Sequence, residues 1–176
     1  MRKEIIDEGI TIHLETEPLT KDGRDWCINE FGNKGDEWKE EFYFDYLDYV
    51  LTYAEVILEK NFKVVIDTAH VYACGITTEK MCEMFKTFSE KNMMEFCHFN
   101  GNTQPTLKPD HHTAMFKSDN KIKNWEKLVS TVKEIPNLIL IAENGANGAD
   151  ESLWKEFAAE NNFQFPKDEE LRNACL

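Results

Sequence analysis

The chain has 176 residues, 41% hydrophobic and 30% charged, and 33 Asp and Glu against 20 Lys and Arg give a net charge of -13. That length suits one domain with a sizeable core, and the composition is that of an ordinary soluble globule without low-complexity segments. The charge works against broad, sequence-blind attraction to nucleic acid unless a basic groove or bound metal ions offset it, and part of the acid is available as metal ligands.

No run of about 18 apolar residues occurs, and the charged residues 1–8 lack the apolar core of a signal peptide. No membrane partner is expected. Cys27, Cys74, Cys82, Cys97 and Cys175 form an odd set without a C-x-x-C pair. They read as reduced thiols of an intracellular protein, in cytoplasm or nucleus.

In residues 9–15, Ile10, Ile12 and Leu14 alternate with Thr11, His13 and Glu15, and period two predicts a strand with Glu15 at its carboxyl end. Residues 16–39 are polar and rich in Gly, Asp and Asn, and read as an extended loop anchored by Trp26 and Phe31. It is either a packed insertion or a substrate-contacting segment. Residues 40–60 read as a helix, with Leu47, Val50, Leu51, Ala54, Ile57 and Leu58 inward. The aromatics between 42 and 49 read as core rather than as a stacking platform.

The central strand is 62–66, where Val64, Val65 and Ile66 are β-branched and suit burial on both faces. Asp67 stands at its carboxyl end and His70 follows in the turn. Two readings compete: Asp67 caps the turn with a solvated His70 beside it, or both hold a metal on rigid backbone, as ordinary zinc ligands. Thr77 can cap a helix through Glu90, with Glu79 in its first turn and Met81, Met84, Phe85 and Phe88 as the buried stripe.

Residues 93–99 form a short strand ending near His98, and 100–120 a long polar loop containing Asp110-His111-His112. Residues 122–133 are helical, with Trp125, Leu128, Val129 and Val132 inward, and Pro136 stops them. The apolar strand 137–142 leads to Glu143 and a Gly-Asn turn. Asp150 can cap a last helix to about 160, buried through Leu153, Trp154, Phe157 and Ala158. Residues 1–176 form a single domain, with 166–176 a loosely docked tail.

The order is βαβαβαβα. It predicts an α/β fold of four consecutive βα units with parallel strands and right-handed crossovers. Ligands in such folds gather at the carboxyl ends of the strands. Those ends carry Glu15, Asp67, His98 and Glu143. Brought together unpaired, they would suffer desolvation and like-charge repulsion, which a divalent metal removes.

The order Glu, Asp-x-x-His, His, Asp-x-His, Glu resembles the carboxyl-terminal half of the endonuclease IV family of apurinic/apyrimidinic endonucleases, zinc TIM-barrel phosphodiesterases. Ile66-Asp67-Thr68-Ala69-His70 with Ala73-Cys74-Gly75 is similar to that family's I-D-T-x-H-x-x-A-x-G. Phe96 to Asn100 is similar to its H-x-N strand and Asp110-His111-His112 to its D-x-H loop. Ile141-Ala142-Glu143 is similar to its terminal L-E-T, and Leu14-Glu15-Thr16 to its L-E-N.

The resemblance implies a half or incomplete TIM barrel. It implies two or more zinc ions, one among Glu15, Asp67, His98 and Glu143 and another among His70, Asp110 and His112. In an alternative register His111 replaces His112. Glu15 and Glu143 are the implied catalytic residues, orienting water for attack on the phosphorus 5′ of an abasic site in DNA. The family takes two further histidines and DNA-contacting loops from its other half-barrel, and a full barrel has about 250 residues. A half-barrel leaves the sheet's inner face, with Val65 and Ile139, without an opposite wall. Self-association or pairing with an amino-terminal half-barrel is therefore expected, and weak endonuclease activity from this chain alone.

Two alternatives stand beside this. The sugar isomerase and epimerase branch of the same architecture shares the pattern of Glu15, Asp67, His98 and Glu143, holding one manganese without Asp110 or His112. A non-catalytic, metal-binding half-barrel acting as a scaffold is the other.

Overall fold

A computed structural model describes residues 8–59, 61–102, 122–143 and 151–164. In order it contains β1 (Ile12–Glu15), α1 (Lys21–Phe31), α2 (Glu40–Leu58), β2 (Phe62–Val65) and α3 (Thr68–Ala73). Then come α4 (Thr78–Glu90), β3 (Phe96–His98), α5 (Trp125–Lys133), β4 (Ile139–Ile141) and α6 (Glu151–Glu160). The fold is mixed α/β. Two-stranded parallel sheets pair β1 with β2 and β3 with β4. A parallel bridge between Asp67 and His98 joins the two pairs. Two backbone bonds reinforce the junction, His98 N–H to Ile66 O at 3.0 Å and Val64 N–H to Met93 O at 2.7 Å. No closed barrel is present among the described residues.

The register sorts the side chains onto two faces, because strand residues alternate. Ile12 stands beside Phe62, Leu14 beside Val64 and Cys97 beside Leu140. On this face Val64, Ile66 and Cys97 join Met81, Phe85 and Leu128 in one buried core. The opposite face carries Glu15 beside Val65 and His98 beside Ile141. It is only partly covered. Ile139 is 61% and Ile141 37% exposed, whereas Val65 is buried, so the expectation that Val65 would lack cover is corrected.

The helices α4 and α5 bury the stripes their periodicity predicts: Met81, Met84, Phe85 and Phe88 on one, and Leu128, Val129 and Val132 on the other. In α2, Tyr43, Leu47 and Ala54 face the core, but Ile57 is 48% exposed. Positions 47 and 54 are seven apart, two full turns, and Ile57 falls outside their arc.

Residues 16–39 are not an extended loop. They contain α1, capped by Thr20, whose Oγ1 accepts from Gly23 N–H at 3.2 Å. Cys27 is its one buried residue. So little apolar surface on a polar segment gives no periodic signal, and packing on α2 makes the helix. The turn holding His70 is also a helix, α3, capped by Asp67. The strands expected at 93–99 and 137–142 shrink to three residues each. Asp110, His111, His112, Cys175 and the tail at 166–176 lie outside the described residues. Cys27, Cys74, Cys82 and Cys97 are free and buried. No described helix is long and apolar enough to cross a membrane.

Candidate metal centre

Each ligand candidate sits where a strand gives way to polar chain. Glu15 is the last residue of β1 and His98 the last of β3. Asp67, the N-cap of α3, follows β2 by two residues, and Glu143 follows β4 by two residues. The parallel register places all four on the same face. One ligand atom from each of Glu15, Asp67, His98 and Glu143 falls within a group spanning no more than 4.8 Å.

His98 is the hub. Its Nδ1 lies 2.9 Å from Glu15 Oε1, 3.2 Å from Glu143 Oε2 and 3.7 Å from Asp67 Oδ2. His70 stands at the rim, with Nδ1 3.5 Å from Glu15 Oε1 and 3.0 Å from the Thr16 carbonyl. With its proton on Nδ1 and donated to that carbonyl, the His70 lone pair is on Nε2, the usual arrangement of a metal-ligating imidazole. Of its expected partners, Asp110 and His112 are outside the described residues.

Asp67 combines the two roles that compete in the sequence. Its Oδ1 accepts from Ala69 N–H at 2.7 Å and His70 N–H at 3.0 Å, and so caps α3. Its Oδ2 turns toward His98 and accepts from Asn100 Nδ2 at 2.9 Å. The Asp67 N–H donates to Thr16 Oγ1 at 2.9 Å.

Asn100 is a site residue that reasoning from the strand ends passes over. It is fully buried, and its Oδ1 accepts from Glu143 N–H at 2.9 Å. Its own N–H donates to Thr68 Oγ1 at 2.9 Å. One amide thus ties Asp67 to the backbone of Glu143. The signal in the sequence is H-x-N, which puts Asn100 on the same side as His98, two residues on.

Three carboxylates and an imidazole are a donor set for a divalent ion. Metal–ligand lengths of about 2.0–2.3 Å put two ligand atoms on one ion at most about 4.6 Å apart. The observed 4.8 Å limit needs only a small side-chain adjustment to meet that. The buried carboxylate also has the support such a ligand needs, since Asp67 accepts three N–H bonds.

A second brace holds α3 from behind. Arg24 Nη2 donates to Ala73 O at 2.7 Å, Trp38 Nε1 to Cys74 O at 2.9 Å, and Leu19 N–H to Cys74 Sγ at 3.2 Å. Burial pushes the Cys74 thiol up and the Arg24 guanidinium down from their ordinary values. Gly75 leaves the helix at φ 82°, where a side chain would be strained.

Fold and site together define an α/β protein with a candidate metal centre at the carboxyl ends of parallel strands. Compared with protein-family models, curated proteins and solved structures, the chain matches none of them.

Proposed function

We propose that the chain is an endonuclease IV-like half-barrel, a metal-dependent phosphodiesterase acting at abasic sites in DNA. The observation that carries this reading is the convergence of Glu15, Asp67, His98 and Glu143 from four successive strand ends. Zinc is the proposed ion, with a second held by His70, Asp110 and His112. A bound divalent ion supplies Lewis-acid polarisation of the phosphoryl oxygen and lowers the pKa of water. Glu143 has the more accessible side chain, 43% exposed against 29% for Glu15. Glu143 therefore takes the proton from the attacking water, while Glu15 orients His98 and His70. The open sheet face at Ile139 and Ile141 receives an opposite wall from a second half-barrel, in another chain or a second copy.

A one-manganese sugar isomerase or epimerase is the second reading. It is favoured by the same cluster offering four ligand residues by itself, with the carboxylates of two glutamates 2.9 Å and 3.2 Å from His98 Nδ1. Elemental analysis separates the two. Two or more zinc equivalents, one of them lost in His70→Ala, support the phosphodiesterase. One manganese, unchanged in His70→Ala, supports the isomerase. Activity is read by incision of a duplex carrying one abasic analogue, with zinc and at low salt because the net charge of -13 repels DNA. The isolated chain is expected to cut poorly, and robust incision by a proven monomer would refute the need for a second half-barrel.

A further inference from the structure

The outer surface of α2 has a character of its own. Tyr46, Tyr49, Tyr53 and Val56 follow at three- and four-residue steps, with Ile57 four residues beyond Tyr53, and so line one stripe of the helix. Tyr49, Tyr53, Val56 and Ile57 are 41%, 54%, 65% and 48% exposed. The core face of the helix, Tyr43, Leu47 and Ala54, lies beside this stripe, and Phe42 is buried in the turn that precedes it. Among the described residues, helix α1 covers its beginning. The Trp26 ring lies 6.3 Å from Tyr46 and 5.8 Å from Tyr49, and Phe31 lies 6.3 Å from Tyr49. Tyr49 and Tyr53 then meet at 4.8 Å, and Tyr53, Val56 and Ile57 are exposed at the end of the stripe. A second row, Asp45, Asp48, Thr52 and Glu55, is exposed alongside. Between Glu40 and Leu58 the helix carries acid and neither Lys nor Arg.

We propose that this face docks a cationic amphipathic helix of a partner protein. Its apolar stripe lies on Tyr49, Tyr53, Val56 and Ile57, and its Lys or Arg side chains lie along Asp45, Asp48 and Glu55. Charge complementarity selects this occupant. A second copy would bring one acidic row against another, with a net charge of -13 on each chain. Nucleic acid is repelled by the same row. A cationic helix gains on both counts. Its Lys or Arg stems cover the tyrosine rings while their heads reach the carboxylates, and a cation over a ring face adds to this. An apolar stripe read at i, i+3, i+4 and i+7 is the usual geometry of a helix laid on such a surface.

The test uses the whole chain and a labelled synthetic helix with a Leu stripe flanked by Lys, against a matched helix with Glu for Lys, followed by fluorescence anisotropy. The Lys helix binds the wild-type chain, and its affinity falls by about tenfold or more in Tyr53→Ser with Val56→Asn, as for loss of central interface anchors. Val56→Lys, which keeps the helix but repels the ligand, gives the same loss. Both variants keep the wild-type circular dichroism, and the Glu helix does not bind. Three results would overturn the proposal. One is equal affinity of the Lys helix for wild type and both variants, which is diffuse attraction to an acidic chain. Another is failure of the Lys helix to bind, or binding of the Glu helix as well. The third is sedimentation as a dimer that the stripe variants abolish, which gives the surface to a second copy.

Discussion

The two oxygens of Asp67 do different work, and a pair of substitutions separates them. Asn at this position keeps an oxygen for the Ala69 and His70 N–H groups but removes the charge facing His98 and sets an N–H₂ against Asn100 Nδ2. Ala removes the cap as well. Both variants are expected to lose metal uptake in a titration followed by elemental analysis. The urea midpoint should fall further for Asp67→Ala than for Asp67→Asn, by the worth of the cap, about 1 kcal/mol. Equal midpoints would mean that Oδ1 contributes nothing to α3. Wild-type metal uptake in both variants would remove Asp67 from the ligand set.

At the level of elements, α2 and α4 are joined through the residue that caps α4. Thr77 Oγ1 caps the helix at Lys80 N–H, 3.4 Å away, and both Thr77 N–H and its hydroxyl donate to Glu40 Oε2 at 3.2 Å. These bonds are solvent-exposed, so their net worth is that of a cap rather than of a buried network. Thr77→Ala should lower unfolding free energy by about 1 kcal/mol in urea, and Thr77→Ser should restore most of it. The stripe that α4 buries, with Met81 and Phe85 fully enclosed, should hold the fold in both variants. The predicted effect is thus a shifted midpoint with an unchanged slope.

For the whole molecule, the buried protonated groups set an alkaline limit. Burial pushes the Cys74 and Cys27 thiols up and the Tyr43 hydroxyl well up from their ordinary values. Each of these groups holds its proton more tightly folded than unfolded. The stability they contribute is therefore complete below the unfolded values, about 8.5 for a thiol and about 10 for tyrosine, and is lost as pH rises beyond them. The urea midpoint is expected to be flat near neutral pH as far as these groups are concerned and to fall through the thiol range and again above about pH 10. Tyr43→Phe should make the second fall shallower, leaving the part that the half-buried Tyr46 hydroxyl, also pushed up by burial, contributes. A midpoint in wild type that holds level across this range would contradict the burial of these groups.

The sequence by itself determined the features whose cause is local. Period two in Ile12, His13, Leu14 and Glu15 decided which side chains of β1 share a face. Helical spacing of Met81, Met84, Phe85 and Phe88 decided what α4 buries, because both periods follow from backbone geometry alone. The polar residues ending four apolar runs marked the candidate ligands for the same reason, since charge at the end of a buried strand is conspicuous in one dimension. Only the tertiary structure decided the rest. It made α1 a helix, which a segment burying Cys27 alone does not announce. It set Asn100 between Asp67 and the Glu143 backbone, residues 33 and 43 positions away in sequence. It also buried Val65 while leaving Ile139 in solvent, although both lie on one sheet face with the same chemistry. These outcomes depend on which distant segments arrive beside a residue, and no local pattern encodes that.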